Sequence, residues 1–581
     1  VNRATALAVM LLAAWAAPAH ASDVTPSCVA KPCFFVLMMH DDVSSLNFQG
    51  LHDVGEELFA NASDPATPVA PNTGVDTPNL TRIVDAGMVV SGMTVSQVCT
   101  PTRWSIISGL DVGNYNHMYG AGRRADHDYS YWSANPAIST LPRTLEANGK
   151  STYFAGKVHM SQDQISNPAS GVAFIKQLGF TTANIVMLGN DDNPWNIDYT
   201  QGVLPGSVNV WDDCKGHNYG PVSTLDGAIT FSTENTGKQI YDDAIEYIEA
   251  QTTGFHVLLV WDNITHAPNR PGAGAIGSCN YSDHGATEDQ HDWPPGYSFT
   301  AGDDEGDVWL ASLEYLDVQK GLLIDAIETH DGQVISSSSD SVVCSMTDNG
   351  TAQAMAPNIH SAECSTGFVK KSAYPCGIRS ALVCAGRGVE NGVMLPDQMF
   401  HASDLMPTIL AAHGIADPRP KTSKSMWNCM TSLNGETAAN CSVSRSHISY
   451  QRWFPTGGNA TGTIAERPDP ENDDANEWDI VTFGEWFYHT DGIRYYVQRD
   501  YTDTTVSPYK CVLTLAYSDD DGTAANRYGT VLAAGVELAD CVITTTDGAD
   551  WTDPPTADQL SAIQFGMALI DKQGPPPPTN Y

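Results

Sequence analysis

The sequence predicts an α/β fold: a large, mostly parallel sheet sandwiched by helices, with a smaller C-terminal antiparallel β-sheet domain. Three observations predict it. Short, continuous apolar runs recur between about residues 33 and 415, as in strands buried on both faces. Helical patterns alternate with them, as crossover connections of a parallel sheet do. After Arg445 the pattern changes to β-rich runs joined by turn residues.

Residues 1–21 read as a secretory signal: Arg3, an apolar run from Ala6 to Ala17, then Ala19-His20-Ala21 as a small-residue cleavage site. Val1 fits a precursor begun at an alternative start codon, a bacterial usage, so the expected location is exported, periplasmic or secreted. The first strand is expected at Phe34–Met39, and others at Thr152–Ala155, Val257–Val260, Val342–Cys344 and Ala381–Cys384. Asp307–Glu328 reads as a helix. Ala311, Tyr315, Val318, Leu322 and Ala326 recur at three-to-four spacing, and Leu313, Leu316, Leu323 and Ile327 widen that apolar face.

Two stretches, about 185–236 and 268–305, are rich in Gly, Asp, Asn and Pro and carry Trp195, Trp211 and Trp293. They read as insertions, and long loops of this kind commonly shape substrate pockets. Residues 22–445 are expected to form the main domain, 446–574 a C-terminal α+β subdomain, and 575–581 a Pro-rich tail. In the subdomain, Glu485–His489 and Ile493–Val497 flank Thr490-Asp491-Gly492, a hairpin signal.

The formal charge of −39 argues against nucleic acid or anionic lipid as the main partner. No internal stretch is long and apolar enough to span a bilayer. The 13 cysteines of an exported chain imply disulfides, and setting Cys99 aside leaves an even number. Cys28 and Cys33 are close enough for a local bridge, and Cys511 with Cys541 would tie the C-terminal region.

The most specific signal is Cys99-Thr100-Pro101-Thr102-Arg103, followed by Ser108-Gly109. Asp41-Asp42 comes directly after the first strand, where open α/β sheets bind ligands. Alone, such a pair is more often a turn or a helix cap. Asp348-Asn349-Gly350 follows the Val342–Met346 run in the same way, and alone it is more often a plain turn. Together, three carboxylates and an amide would form a hard, oxygen-only site suited to Ca²⁺ or Mg²⁺. Lys157 and His159 lie just past a strand, His266 just past Val257–Val260, and Lys370 shortly before Gly377-Ile378-Arg379. Cations at strand ends can clamp a tetrahedral anion and protonate its leaving group.

In order and context these pieces resemble the sulfatase family of the alkaline-phosphatase-like superfamily. The resemblance spans about residues 33–415. It rests on Asp41-Asp42, Thr77-Pro78-Asn79-Leu80, Cys99–Arg103 with Ser108-Gly109, Leu141-Pro142, Gly156-Lys157-x-His159, His266-x-Pro268, Asp348-Asn349-Gly350, Gly377-x-Arg379 and Asp404–Thr408. It implies that a formylglycine-generating enzyme oxidises Cys99 to formylglycine (3-oxoalanine), whose hydrate attacks sulfur. It implies Asp41, Asp42, Asp348, Asn349 and the modified Cys99 as ligands of one Ca²⁺, with Mg²⁺ or Mn²⁺ less expected. Arg103 would neutralise charge beside the nucleophile, and Lys157 and Lys370 would hold sulfate oxygens. His159 would take a proton from the hydrate, and His266, with Lys370, would protonate the leaving group. The implied activity is hydrolysis of sulfate monoesters, from a sulfated carbohydrate or an aryl sulfate.

Three positions depart from the family's pattern. His40 stands where a small residue is commoner, Val158 replaces the usual tryptophan, and Pro375-Cys376 replaces a commoner Glu-Gly. One alternative is a formylglycine-dependent phosphonate monoester or phosphodiester hydrolase, which typically shows Asp-His where this chain has Asp348-Asn349. Another is an inactive carbohydrate-binding homologue, against which every expected polar position is filled.

Overall fold

The run at residues 32–40 is apolar without alternation, so as a strand it needs cover on both faces. It forms β1 (Pro32–His40), buried along its whole length. The structure is a computed structural model. It describes residues 30–44, 75–110, 139–158, 177–187, 236–265, 305–351, 375–394, 399–418 and 423–443. It also describes isolated positions such as 28, 48, 160 and 370, short strands between 192 and 231, and the strands between 447 and 545.

After β1 come α1 (Pro78–Ala86), β2 (Gly87–Val90), β3 (Met93–Thr94), α2 (Cys99–Ser108) and α3 (Leu141–Ala147). Next are β4 (Ser151–Lys157) and β5 (Thr182–Met187), then two short hairpins, β6 (Asp192–Asn193) with β7 (Asn196–Ile197) and β8 (Pro221–Ser223) with β9 (Ile229–Phe231). They precede α4 (Thr236–Ala250), β10 (Gly254–Trp261), α5 (Glu305–Asp331) and β11 (Val342–Thr347). The order continues with α6 (Pro375–Ile378), β12 (Leu382–Gly386), β13 (Gly392–Met394), β14 (Phe400–His401) and α7 (Leu405–Ala412).

Eight strands form one sheet in the order β13-β2-β12-β11-β1-β10-β4-β5. The pairs β1/β10, β1/β11, β10/β4, β4/β5 and β2/β13 are parallel. β12 pairs antiparallel with both neighbours and so runs against the rest. The expected mostly parallel sheet is what forms. Strand residues alternate between faces, so β1 sends Leu37 and Met39 into one core with α2, α3 and α7. Val36 and Met38 enter the other core with α1, α4 and α5.

The predicted helix forms as α5 and buries most of the apolar face its stripe indicated, Ala311, Leu313, Tyr315, Leu316, Leu323 and Ile327, with two exceptions. Val318 and Leu322 are 43% and 45% exposed, whereas Asp317 and Lys320 are buried. The reason is that the two polar residues have work inside. Asp317 accepts from Asn79 N and Leu80 N at 2.8 and 2.9 Å, satisfying orphan donors at the start of α1, where Thr77 makes no side-chain cap. Lys320 Nζ lies 4.2 Å from the centroid of the Phe48 ring.

Cys28 and Cys33 are bridged as expected. Among the described residues two further disulfides are Cys344–Cys384, which joins directly opposed residues of β11 and β12, and Cys429–Cys441. Cys541, and so the expected Cys511 pairing, lies outside the described residues, as do residues 1–21, Trp195, Trp211, Trp293 and the 575–581 tail. Beyond Arg445, β15 (His447–Pro455), β16 (Trp478–Tyr488), β17 (Arg494–Asp500), β18 (Cys511–Leu515), β19 (Thr530–Leu532) and β20 (Ile543–Thr545) pair antiparallel in chain order. β16 and β17 pair as the hairpin signal predicts, and the turn at 490–492 lies outside the described residues. Among the described residues no helix is long and apolar enough to cross a membrane.

Candidate active site at the strand ends

β1 lies between β10 and β11, and all three end level: Met39 pairs with Trp261, and His40 with Thr347. The residues just past these ends are therefore neighbours. They are Asp41 and Asp42 after β1, Asp348 and Asn349 after β11, and Asp262 to Thr265 after β10. Lys157 is the last residue of β4. Consecutive residues of an extended strand would point to opposite faces. Asp42 instead takes a left-handed conformation, φ 57°, which aspartate tolerates better than most residues. Ligand atoms of Asp41, Asp42, Cys99 and Asp348 then all lie within 4.8 Å of one another.

Cys99 is the first residue of α2, after an extended Val98. It therefore sits at the positive end of the helix dipole. Thr102 fixes that first turn: its Oγ1 donates to Asp348 O at 2.6 Å and accepts from Ser96 N at 2.9 Å. Arg103, one residue on and fully buried, donates to Lys157 O at 2.6 Å and to Asp348 Oδ2 at 2.8 Å, and lies 3.3 Å from Asp41 Oδ2. Gly156 lets β4 approach β10 there. Its φ is +112°, and a Cβ would meet Trp261 O at 1.9 Å.

The Cys99 thiol donates to Asp41 Oδ1 at 3.3 Å, and Lys157 Nζ stands 3.7 Å from Cys99 Sγ while also bonding Asp41 Oδ2. Lys370 Nζ bonds Asp42 Oδ1, and its backbone N is held by Thr351 O at 3.0 Å. Asn349 Nδ2 donates to Asp42 Oδ1 and to Gly350 O, each at 3.0 Å. Its Oδ1 is buried without a hydrogen-bond partner.

Three carboxylates and three cations thus share a buried space. Burial, then the Asp348 and Asp41 charges, pushes the Cys99 thiol well up. Burial, then Asp41, pushes the Asp348 carboxyl above the usual carboxylate range, against the pull of Arg103 and Lys157. Burial alone would lower Lys370, but Asp42 and its neighbours outweigh it and hold the ammonium above its ordinary value. A hard divalent cation fits this donor set. The three carboxylates and the buried, unpartnered Asn349 Oδ1 offer oxygens only.

The structure brings together Asp41, Asp42, Cys99, Arg103, Lys157, Asp348, Asn349 and Lys370. His159 and His266 lie outside the described residues. Sequence reasoning missed Thr102, although it lies inside the pentapeptide. It also missed Thr265, whose Oγ1 donates to Asp41 O, and Asp262. Asp262 and Thr265 had a signal: they directly follow a buried strand, as Asp41 does.

An α/β sheet that gathers its polar residues past the carboxyl ends of its central strands is of the class that opens a ligand crevice at that edge. The sulfatase family's sequence profile matches residues 61–415, more than half of the chain, and the chain belongs to that family of sulfuric ester hydrolases. The match begins after Asp41 and Asp42, which the fold, not the profile, joins to Cys99. An uncharacterized sulfatase, PB10D8.02c, of Schizosaccharomyces pombe is 28% identical over 97 residues, 15% of this chain and 17% of that protein, so the match spans about a sixth of each. Solved structures share the fold at low identity. Ps i-CgsB in complex with k-i-k-neocarrahexaose is 13% identical, with a TM-score of 0.53 and 94% of each chain covered. PsFucS1 sulfatase from Pseudoalteromonas sp. is 13% identical, with a TM-score of 0.51, covering 95% of this chain and 92% of that one.

Proposed function

We propose that the chain is an exported sulfatase that hydrolyses sulfate monoesters at the Cys99 cluster, after oxidation of Cys99 to formylglycine and with one bound Ca²⁺. The observation that carries this is Cys99 itself. It is buried at the start of α2, 3.3 Å from Asp41, among three carboxylates and three cations. It is also the one cysteine left free among the described residues.

Formylglycine would supply an aldehyde hydrate as nucleophile, and a divalent cation held by Asp41, Asp42, Asp348 and Asn349 would supply Lewis acidity. The chain's own residues divide the rest. Arg103, Lys157 and Lys370 hold the sulfate oxygens and balance charge as the ester bond breaks. His159 takes a proton from the nucleophile, and His266 gives one to the departing oxygen. The modified Cys99 would supply two hydroxyls, one as the nucleophile toward sulfur and a second whose proton loss would free the sulfate.

Residues 22–445 would form the catalytic domain and 446–574 the C-terminal subdomain. The three disulfides among the described residues support export, since such bonds persist in oxidising compartments. A sulfated carbohydrate is the first candidate substrate and an aryl sulfate the second. The likeness to a structure holding a neocarrahexaose supports the carbohydrate. The test is sulfate release from a panel of sulfated oligosaccharides beside 4-nitrophenyl sulfate. It uses protein produced with a formylglycine-generating enzyme, and mass spectrometry of the Cys99 peptide. Sulfate release that tracks the aldehyde content supports the reading. An unmodified thiol in protein from the native host, with no sulfate released, overturns it in favour of an inactive carbohydrate-binding homologue.

A further inference from the structure

We infer that His40 is a positioning residue that holds the ends of β10, β1 and β11 in the arrangement the site needs. The inference rests on the sulfatase reading of the Cys99 cluster.

His40 is the last residue of β1, and its side chain is fully buried. The imidazole Nδ1 lies 2.7 Å from Asp262 Oδ2, just past β10, and Nε2 lies 2.9 Å from Ser345 Oγ on β11. A carboxylate only accepts, so Nδ1 carries the proton and the Ser345 hydroxyl donates to Nε2. The main-chain oxygen of His40 accepts from Asp348 N at 3.0 Å. One residue thus bonds to both neighbouring strands beneath the cluster.

This location matters because the strand register runs out there. β1 and β10 pair as far as Met39 and Trp261, and β1 and β11 as far as His40 and Thr347. Past those pairs each neighbour keeps one main-chain bond to β1, Asp262 N to Met39 O at 3.1 Å and Asp348 N to His40 O at 3.0 Å, and side chains add to the hold where the ligands begin. Asp262 does so only while it is held itself. Its Oδ2 also accepts from Tyr241 OH at 2.9 Å, and its Oδ1 accepts from Ile264 N at 3.3 Å. The turn so shaped ends at Thr265, whose Oγ1 donates to Asp41 O. A connected path therefore runs from His40 through Asp262, Ile264 and Thr265 to Asp41. The same turn leads directly into His266. A small residue at position 40 would remove a donor from the buried Asp262 carboxylate, and such a loss is costly.

The test uses the full chain carrying formylglycine, and compares His40→Ala, His40→Asn and His40→Gln. An asparagine amide can stand where Nδ1–H stands and keep the Asp262 bond, whereas glutamine reaches toward Ser345. The readouts are kcat and KM for 4-nitrophenyl sulfate, and Ca²⁺ affinity by calorimetry on chelator-stripped protein. Losing a partner behind a ligand commonly costs ~10–100-fold. His40→Ala should lower kcat or Ca²⁺ affinity by at least ~10-fold while KM moves less than ~3-fold. His40→Asn should recover most of that loss, and His40→Gln should not. If His40→Ala stays within ~3-fold of the wild type in both kcat and Ca²⁺ affinity, the inference falls. It falls equally if asparagine rescues no better than glutamine, a comparison that stands even where the alanine variant does not fold. Wild-type protein that turns over sulfate without binding Ca²⁺ would sink the cation reading, and the kcat ordering of the variants would still decide on His40. Wild-type protein that binds Ca²⁺ but releases sulfate neither from 4-nitrophenyl sulfate nor from the sulfated oligosaccharide panel would sink the sulfatase reading, and the affinity ordering would then decide.

Discussion

The Cys99 thiol donates a hydrogen bond to Asp41 Oδ1 at 3.3 Å. This joins the start of α2 to the end of β1, two elements nearly sixty residues apart in the chain. Cys99→Ala is expected to abolish sulfate release while circular dichroism stays native, because removing a covalent nucleophile costs orders of magnitude. Cys99→Ser is expected to fail as well: a hydroxyl can be sulfated once but has no second hydroxyl to expel the sulfate. A loss of only a few-fold in Cys99→Ala would refute the mechanism.

Asp41 and Asp348 are both bound by Arg103, at 3.3 and 2.8 Å. Their carboxylates are the centre of the proposed cation site. Asp41→Ala or Asp348→Ala should remove both the bound divalent cation and turnover. Elemental analysis of the purified variants measures the first. A stoichiometric cation retained in both would show that the ligands lie elsewhere.

On the sulfatase reading, Asn349 would bring a neutral amide to the proposed cation site, and Arg103, Lys157 and Lys370 would hold the oxygens of a sulfate monoester in preference to a phosphate monoester. An aryl sulfate should exceed the matched aryl phosphate or phosphonate by at least ~100-fold in kcat/KM, a difference of ~2.7 kcal/mol that one or two charged contacts can supply. Paired assays in Ca²⁺ and in Mn²⁺ measure it. A phosphonate or phosphodiester as best substrate under either metal would favour a phosphonate monoester or phosphodiester hydrolase instead.

The Cys344–Cys384 bridge closes a separation of 40 residues between β11 and β12. Chain entropy alone assigns such a loop about 4 kcal/mol. The Cys344→Ala/Cys384→Ala double variant should unfold at markedly lower denaturant than wild type under non-reducing conditions. A loss below ~1 kcal/mol would show that the bridge contributes little beyond the strand pairing.

Burial lowers the Lys320 amine to about 8, against the opposing pull of Asp317 and Asp262. Between about pH 8 and the ordinary value of 10.5 the unfolded chain holds a proton that the native chain has lost. Stability contributed by this group therefore rises with pH across that window and is lowest below it. Lys320→Met should lack the rise, so wild type should gain on the variant as pH climbs from 8 to 10.5. Denaturant unfolding at a series of pH values reads the difference, and a flat difference would refute the assignment.

Much of this site was legible in the linear chain. The pentapeptide at Cys99–Arg103 is local: its residues lie within one turn of one helix, so their order is itself the geometry. Asp41-Asp42 and Asp348-Asn349 were legible because each directly follows a buried apolar run, and the ends of parallel strands gather at one edge. The strands themselves were legible because continuous apolar runs need cover on both faces. The roles of His40, Asp317 and Lys320 were not legible. All three are polar residues inside the fold, and hydropathy places such residues at the surface. The burial of Lys320 and Asp317, with Val318 and Leu322 left exposed, turned on where the first turn of α1 and the Phe48 ring come to lie. That arrangement belongs to contacts between elements hundreds of residues apart. Sequence alone determined which polar residues are the candidates for chemistry and which of them follow strand ends. Only the tertiary structure decided which side chains hold those ends together, because hydrogen-bond partners are chosen by distance in space rather than along the chain.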